Sequence, residues 1–234
     1  MKRIVFLTGA GMSAESGIST FRDSGGLWEK YDVMEVASID GWRKNPDLMT
    51  KFYNERRAQL DKAMPNEGHK LISQLEKSFK VTVITQNVDN LHERALSSDV
   101  IHLHGELTKV CNESKSEVYD IGTKAVAIGE RAVDGSRVRP FIVWFGEAVP
   151  LIEKAANIVS NADIVVIIGT SMQVYPAAGL IHYAKKDAEI FLIDPNDVST
   201  PPFVSVNVIK EKASVGMRIL SEKLSSYNIS IASP

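Results

Sequence analysis

The sequence predicts an α/β fold: a doubly wound, mainly parallel sheet that carries a smaller inserted lobe. Three observations point there. Short apolar runs rich in β-branched residues occur at residues 4–7, 81–84, 141–143, 164–168, 190–193 and 206–209. Their near-continuous hydrophobicity is that of strands covered on both faces, as in a parallel sheet. Helical patterns lie between or after several of these runs, and two stretches, 27–64 and 109–139, interrupt the alternation.

Taken in order, the first run follows Met1-Lys2-Arg3, a start like that of a secretory leader, but Thr8-Gly9-Ala10-Gly11 cuts it too short and it reads as a buried strand. Nothing approaches the roughly 20 apolar residues that cross a bilayer. Residues 27–64 read as helical, with Asn45-Pro46-Asp47 as the N-cap and first turn before a helix over 48–60. At 65–79, Leu71, Leu75 and Phe79 share a helix face, and further helices are expected over 151–159, 176–184 and 214–224. The polar stretch 109–139, with Gly122, Gly129 and Gly135, offers no strand. The expected division is a Rossmann-like domain of residues 1–30, 80–108 and 140–234, with 31–79 and 109–139 inserted as the small lobe.

At 234 residues and 44% hydrophobic content, the chain can bury a full core. Net charge is −2, and the basic residues form no long run that would follow a phosphate backbone, which argues against direct nucleic-acid binding. Cys111 is the only cysteine. That excludes an intramolecular disulfide and a zinc site built on several thiolates, and it suits a reducing cytoplasm.

Chemistry-bearing residues collect after the strands. Thr8-Gly9-Ala10-Gly11-Met12-Ser13-Ala14-Glu15-Ser16-Gly17 has the small residues that let backbone N–H groups approach an anion, although Gly-x-Gly after a strand also serves simply as a tight turn. The third glycine and the acidic second strand of the usual dinucleotide fingerprint are missing, so the cofactor must lie differently. Gly169-Thr170-Ser171 follows one strand and Asp194-Pro195-Asn196 another, the latter also readable as a plain β-turn. His102 and His104, two apart, share a strand face and by that pattern read first as core residues or metal ligands and only secondarily as a catalytic group.

The run from Gly9 to Ile18 with Phe21-Arg22, then Thr85-Gln86-Asn87-Val88-Asp89-Asn90-Leu91-His92, Leu103-His104-Gly105, Val143-Trp144-Phe145-Gly146-Glu147 and Gly169-Thr170-Ser171 with Val174-Tyr175-Pro176-Ala177 resemble, in order and spacing, the signature of the sirtuin family. The resemblance covers nearly the whole chain outside 109–139. It implies an NAD-dependent protein-lysine deacylase, in which the acyl oxygen attacks the nicotinamide ribose, nicotinamide leaves, and O-acyl-ADP-ribose and free lysine are released. NAD is then a consumed co-substrate. A base titrating near neutrality has to deprotonate a ribose hydroxyl, a task suited to histidine.

The resemblance selects His104 as that base and leaves His102 structural. It places Asn87 and Asp89 with His104 in the catalytic set. Gly9, Ala10, Gly11, Ser13, Ala14, Phe21, Arg22, Gln86, Val88, Gly169, Thr170, Ser171, Asp194, Asn196 and Ala213 go to the NAD pocket, with Asp23 in its loop and Lys212 beside Ala213. Asp194, where many relatives have asparagine, would accept ribose hydroxyls and repel a 2′-phosphate. Gly146-Glu147 and Val174-Tyr175 resemble the two edges that clamp a peptide as an added strand, and Val143 and Phe145 would line the lysine tunnel. Tyr53 and Arg56, at i and i+3, resemble the Tyr-x-x-Arg pair of bacterial and other sirtuins that act on succinyl and malonyl groups, although alone they read as a surface helix face.

One departure is large: relatives commonly hold the small lobe with a zinc on four cysteines, and Cys111 stands alone. No structural zinc is expected; packing within 109–139 must replace it. Partners are acyl-lysine proteins or peptides, with no membrane. The rival readings are a mono-ADP-ribosyltransferase or NAD glycohydrolase on the same pocket, and a non-enzymatic NAD sensor.

Overall fold

The computed structural model describes residues 1–18, 30–198 and 205–229, with side chains up to residue 225. Its strands, in chain order, are β1 (Arg3–Thr8), β2 (Lys80–Thr85), β3 (Val100–His102), β4 (Gly105–Cys111), β5 (Val118–Asp120), β6 (Arg139–Ile142), β7 (Ile164–Ile168), β8 (Glu189–Ile193) and β9 (Asn207–Ile209). The helices are α1 (Gly11–Ala14), α2 (Val33–Val36), α3 (Ile39–Lys44), α4 (Pro46–Lys62), α5 (Glu67–Gln74), α6 (Leu91–Arg94), α7 (Ile152–Val159) and α8 (Ala213–Ile229), with a 3-10 segment at Ala177–Tyr183. The main sheet has the order β3-β2-β1-β7-β8-β9, and all its pairs are parallel. Chain direction across the sheet reverses between β1 and β7, and there the carboxyl ends open a crevice.

Successive residues of the central strands feed two cores, as the period of two requires. Ile4, Phe6, Val166 and Ile168 pack with Ile72, Leu75 and Phe79 and with Met217, Leu220 and Leu224 of α8. Val5, Leu7, Val165 and Ile167 face the other way, onto Ala155 and Val159 of α7 and Leu180 and Ile181 of the 3-10 segment. Each such side chain contributes roughly 1.5–3 kcal/mol on burial. This double coverage is why those runs lack polar alternation.

Several expectations are corrected. The run at 141–143 does not join the parallel sheet: β6 pairs antiparallel with β4, which also pairs with β5, in a three-stranded second sheet. The stretch 109–139 therefore carries the end of β4, all of β5 and the start of β6. Residues 65–79, expected in the small lobe, pack on the main sheet through Ile72, Leu75 and Phe79. The 176–184 segment forms 3-10 rather than α-helix. The α4 start follows the sequence reading: the Asn45 side chain accepts the Leu48 N–H at 3.1 Å, with Pro46 in the first turn, a cap contributing about 1 kcal/mol.

The small lobe packs α2 to α4 against β4 and β6 around Trp42, Met49, Phe52, Tyr53, Leu107, Ile142 and Trp144. Polar side chains tie in the rest. Asn54 on α4 clamps the backbone of Val126 in both directions, donating to its carbonyl at 2.8 Å and accepting its N–H at 2.9 Å. The fully buried Arg57 donates to the Leu107 carbonyl (2.9 Å) and to Asn54 (3.1 Å). Beside Cys111, Asn112 donates to Ser116 and Asp134, both at 2.9 Å, and Asp134 accepts from Ser136. Burial pushes the Cys111 thiol up to about 11, against the opposing charges of Arg139 and Lys115. A protonated thiol among amides and hydroxyls does not fit a tetrahedral thiolate zinc site. Among the described residues, no group of three or more His, Cys, Asp or Glu is placed to hold a metal ion, and no helix is long and apolar enough to cross a membrane.

Candidate active site

The expected catalytic residues leave the carboxyl ends of β2 and β3 in two turns that are laced together. Leu103 N–H donates to the Thr85 carbonyl at 2.9 Å, Leu107 N–H to the Val88 carbonyl at 2.7 Å, and Asn87 N–H to Thr85 Oγ1 at 3.0 Å. Gly105 adopts φ +81, and a Cβ there would lie 2.1 Å from the Phe141 carbonyl oxygen. Any side chain would drive β6 off the turn, so the residue after His104 has to be glycine.

His104 is half-buried, and its Nδ1–H donates to the Gln86 carbonyl at 3.1 Å. That contact puts the proton on Nδ1 and leaves the lone pair on Nε2. Burial lowers the pKa of His104 and the Gln86 carbonyl only partly offsets this, so at neutral pH the ring is an unprotonated base.

Asn87, Asp89 and Ser13 close a hydrogen-bonded set at the mouth of β1. Ser13 Oγ donates to Asp89 Oδ2 at 2.9 Å and accepts from Asn87 Nδ2 at 3.2 Å, while Asn87 Nδ2 also donates to the Gly9 carbonyl at 3.0 Å. Asp89 Oδ1 accepts the Leu91 N–H at 3.1 Å. Burial raises the Asp89 pKa, against the Leu91 and Ser13 hydrogen bonds and the charges of His102 and Arg56. Gln86 Nε2 donates to Thr170 Oγ1 at 3.1 Å, which ties the β2 turn to the β7 turn.

The glycines have an internal use first. Gly9 N–H donates to the Ile168 carbonyl and Gly11 N–H to the Gly169 carbonyl, so these donors lock the loops after β1 and β7 together instead of standing open to an anion. Gly169 has φ +60, and a Cβ would come within 2.4 Å of Met12 N. Gly9 and Gly11 thus pack directly against Gly169, with Gly9 also against Thr170, at the switch point. At the end of β8, Asp194 Oδ1 accepts from Asn196 N–H (2.9 Å) and Nδ2 (3.2 Å), an Asx turn that keeps the buried carboxylate at the strand end. Ala213 opens α8, whose next N–H, on Ser214, donates to the Glu15 carboxylate at 2.9 Å. A topological switch point flanked by polar turns and an acidic strand end fits an adenine dinucleotide. Phe21, Arg22 and Asp23 lie outside the described residues.

On the far side of His104, its carbonyl accepts the Val143 N–H at 2.9 Å. Phe145 exchanges main-chain bonds with Ala37 and Ile39 and is 43% exposed; Val174 (37%) and Tyr175 (71%) are exposed as well. Gly146 turns at φ +88. Glu147 is occupied internally: it accepts from Arg139 Nη1 and Nη2 (both 3.0 Å), Lys115 (3.0 Å) and Trp144 N–H (2.9 Å). Burial raises Glu147, but Arg139 and the other donors outweigh it and hold the carboxyl below its usual range. Glu147 therefore supports the loop and links it to the small lobe. Arg139 and Lys115 have no local signature in the sequence; only their place in the folded lobe pairs them with it.

Tyr53 and Arg56 come together beneath this loop. The buried Tyr53 hydroxyl accepts from Trp144 Nε1 at 2.8 Å, and Arg56 stacks 5.7 Å from the Tyr53 ring centroid and 5.9 Å from that of Phe52. Desolvation lowers Arg56, with Tyr53 and the Asp89 charge acting to raise it. The guanidinium is thus electrostatically coupled to Asp89 and does not lie on an outer helix face.

The Sir2 family profile matches residues 9–176. A protein of Bacteroides thetaiotaomicron named NAD-dependent protein deacylase is 57% identical over 235 residues, spanning 96% of this chain and 98% of its own length. One of the same name from Helicobacter pylori is 52% identical over 224 residues, spanning 96% and 98%. Among solved structures, an ADP-ribose complex of a mutant Sir2 homologue superposes with TM-score 0.90 at 36% identity, covering 100% of this chain and 95% of its own. A Sir2 complex with a deacetylated peptide and 3′-O-acetyl-ADP-ribose superposes with TM-score 0.82 at 29% identity, covering 94% and 92%.

Proposed function

The chain belongs to the Sir2 family, and from that premise we propose that it is an NAD-dependent protein-lysine deacylase with His104 as base and with Asn87 and Asp89 completing the catalytic set. The single observation that carries the reading is the fixed His104 ring: Nδ1–H is committed to the Gln86 carbonyl at 3.1 Å, which leaves a basic Nε2. When bound, NAD supplies an electrophilic ribose carbon with nicotinamide as leaving group. His104 takes the ribose hydroxyl proton at Nε2. Asn87 and Asp89, braced by Ser13, orient the nicotinamide ribose. Gly9, Ala10, Gly11, Ser13, Ala14, Gln86, Val88, Gly169, Thr170, Ser171, Asp194, Asn196 and Ala213 hold the rest of the dinucleotide.

Peptide enters as an added strand between the Phe145–Gly146 edge and the Val174–Tyr175 edge, with Val143 and Phe145 along the lysine stem. Arg56, with Tyr53, receives the carboxylate of a succinyl or malonyl group; its coupling to Asp89 supports this finer assignment. The deciding experiment is mass spectrometry of NAD and acyl-lysine peptide incubated with the protein. One O-acyl-ADP-ribose per free lysine is expected, whereas ADP-ribosylated protein, or bare ADP-ribose without acyl loss, would establish the transferase or glycohydrolase reading instead. His104→Ala should abolish product.

A further inference from the structure

The second histidine of the β3 end is in a different chemical state from the first. His104 and His102 send their Nδ1 atoms to successive carbonyls of one turn, His104 to Gln86 at 3.1 Å and His102 to Asn87 at 2.9 Å. His102 differs in what meets its other nitrogen: Nε2 lies 2.7 Å from Glu93 Oε1. A neutral imidazole has one donor and one acceptor nitrogen, so a ring held between two acceptors is satisfied only as the imidazolium. The ring is well shielded, with 7% of its side chain exposed.

We propose that His102 is a positioning residue acting as an imidazolium: its Nδ1–H holds the Asn87 carbonyl and its Nε2–H is held by Glu93, and the Asn87 turn is registered for catalysis only while both protons are present. The inference rests on the deacylase reading, because it acts through Asn87.

The groups around the ring favour this state. Glu93 and His92 face it from α6, Asp89 from the β2 turn, and Glu106 from β4. Lys109, paired with Glu106, acts on Glu93, as does His69 of α5. Burial opposes the charge, but the Glu93 hydrogen bond and charge, the Asn87 carbonyl and Glu106 outweigh it, so the His102 pKa is raised. The two other histidines of the cluster stay neutral. His69 accepts the Asn66 N–H on Nδ1 at 3.3 Å, which requires a lone pair there, and burial pushes it down to about 4. His92 stacks edge-on with it at 4.8 Å, meets Thr8 Oγ1 at 3.1 Å, and is lowered chiefly by burial, with the charge of His102 acting in the same direction.

Loss of a proton from His102 would leave the remaining one on the carboxylate side, since an ionised carboxylate is the stronger acceptor. The Nδ1 lone pair would then face the Asn87 carbonyl, and attraction would become repulsion. Catalysis accordingly needs His104 neutral and His102 charged. The acid limb of the pH profile belongs to His104, displaced to lower pH than an ordinary imidazole by burial, and the alkaline limb belongs to His102, displaced to higher pH by Glu93.

The test is the pH dependence of kcat/KM for deacetylation by wild type, Glu93→Gln and His102→Asn, with an NMR titration of the His102 ring in the wild-type protein. Glu93→Gln should move the alkaline limb down by about one pH unit and leave the acid limb in place. His102→Asn, whose amide keeps a donor near the Nδ1 position, should lose the alkaline limb while retaining measurable turnover at pH 7. NMR should find both ring nitrogens protonated at pH 7. An alkaline limb that Glu93→Gln leaves unmoved, or a singly protonated ring at pH 7, overturns the proposal even if the variants fold poorly. Failure of the wild type to form acyl-ADP-ribose at any pH would instead sink the deacylase reading, and the positioning role with it.

Discussion

Arg56→Met separates recognition of an acidic acyl group from the chemistry that releases it. In the wild type, the guanidinium lies over the Phe52 and Tyr53 rings, is desolvated, and feels the charge of Asp89. Removing one partner of a buried, hydrogen-bonded charge pair costs roughly 3–5 kcal/mol. At the low end, about 3 kcal/mol, and with 1.36 kcal/mol per tenfold, kcat/KM for a succinyl-lysine peptide should fall about 100-fold. Methionine fills most of the volume of the arginine stem and keeps the contact with both rings. Arg56 is one of several groups that restrain the upward shift of Asp89, so deacetylation should fall less than about fivefold. Tyr53→Phe is a poorer probe, because it strips the acceptor from the Trp144 indole N–H and destabilises the lobe as well. Initial rates on acetyl-, malonyl- and succinyl-lysine peptides at saturating NAD read out the difference. Equal losses on acetyl and succinyl substrates would refute the carboxylate role.

Three further outcomes follow from packing and protonation. Asn54→Ala removes both bonds to Val126 and one to Arg57, and should lower stability in urea unfolding by roughly 2–3 kcal/mol while leaving the KM for NAD unchanged; no loss of stability would mean that 109–139 is held by something else. Gly169→Ala forces a Cβ to 2.4 Å from Met12 N at φ +60, which should cost roughly 2–4 kcal/mol and abolish NAD-induced thermal stabilisation. Cys111, buried and with its pKa pushed up to about 11, should remain unalkylated by iodoacetamide at pH 8 in the native protein and react fully in urea, as followed by intact mass.

The parallel core was legible because its four central strands, β2, β1, β7 and β8, are buried on both faces along nearly their whole length and therefore read as near-continuous apolar runs; Ile164–Ile168 has the bounds that its hydrophobicity alone predicts. β4 was not, for the complementary reason. Its Glu106 and Lys109 are half-buried and pair with each other at 2.7 Å, which gives the strand the composition of a loop. β3 and β5 have three residues each, too few for any period to register. The stretch 65–79 carried a correct helix face, but the face alone could not say which core it would cover. The support of the small lobe was equally hidden, since Asn54 and Val126 are 72 positions apart.

At the candidate site, the residue types were legible and their charge states were not. His102 and His104 are two positions apart, leave the same strand, and present the same ring atom to neighbouring carbonyls of one turn. What distinguishes them is a single carboxylate, Glu93, brought to Nε2 of His102 by the short helix α6. In a medium that resists both charges by burial, Glu93 supplies the largest opposing contribution and Glu106 and the Asn87 carbonyl add to it, so one ring is held as a base and its neighbour as a cation. A structural histidine and a catalytic one then become two halves of one pH window, and the width of that window is set by a residue that touches neither NAD nor peptide in the proposed assignment.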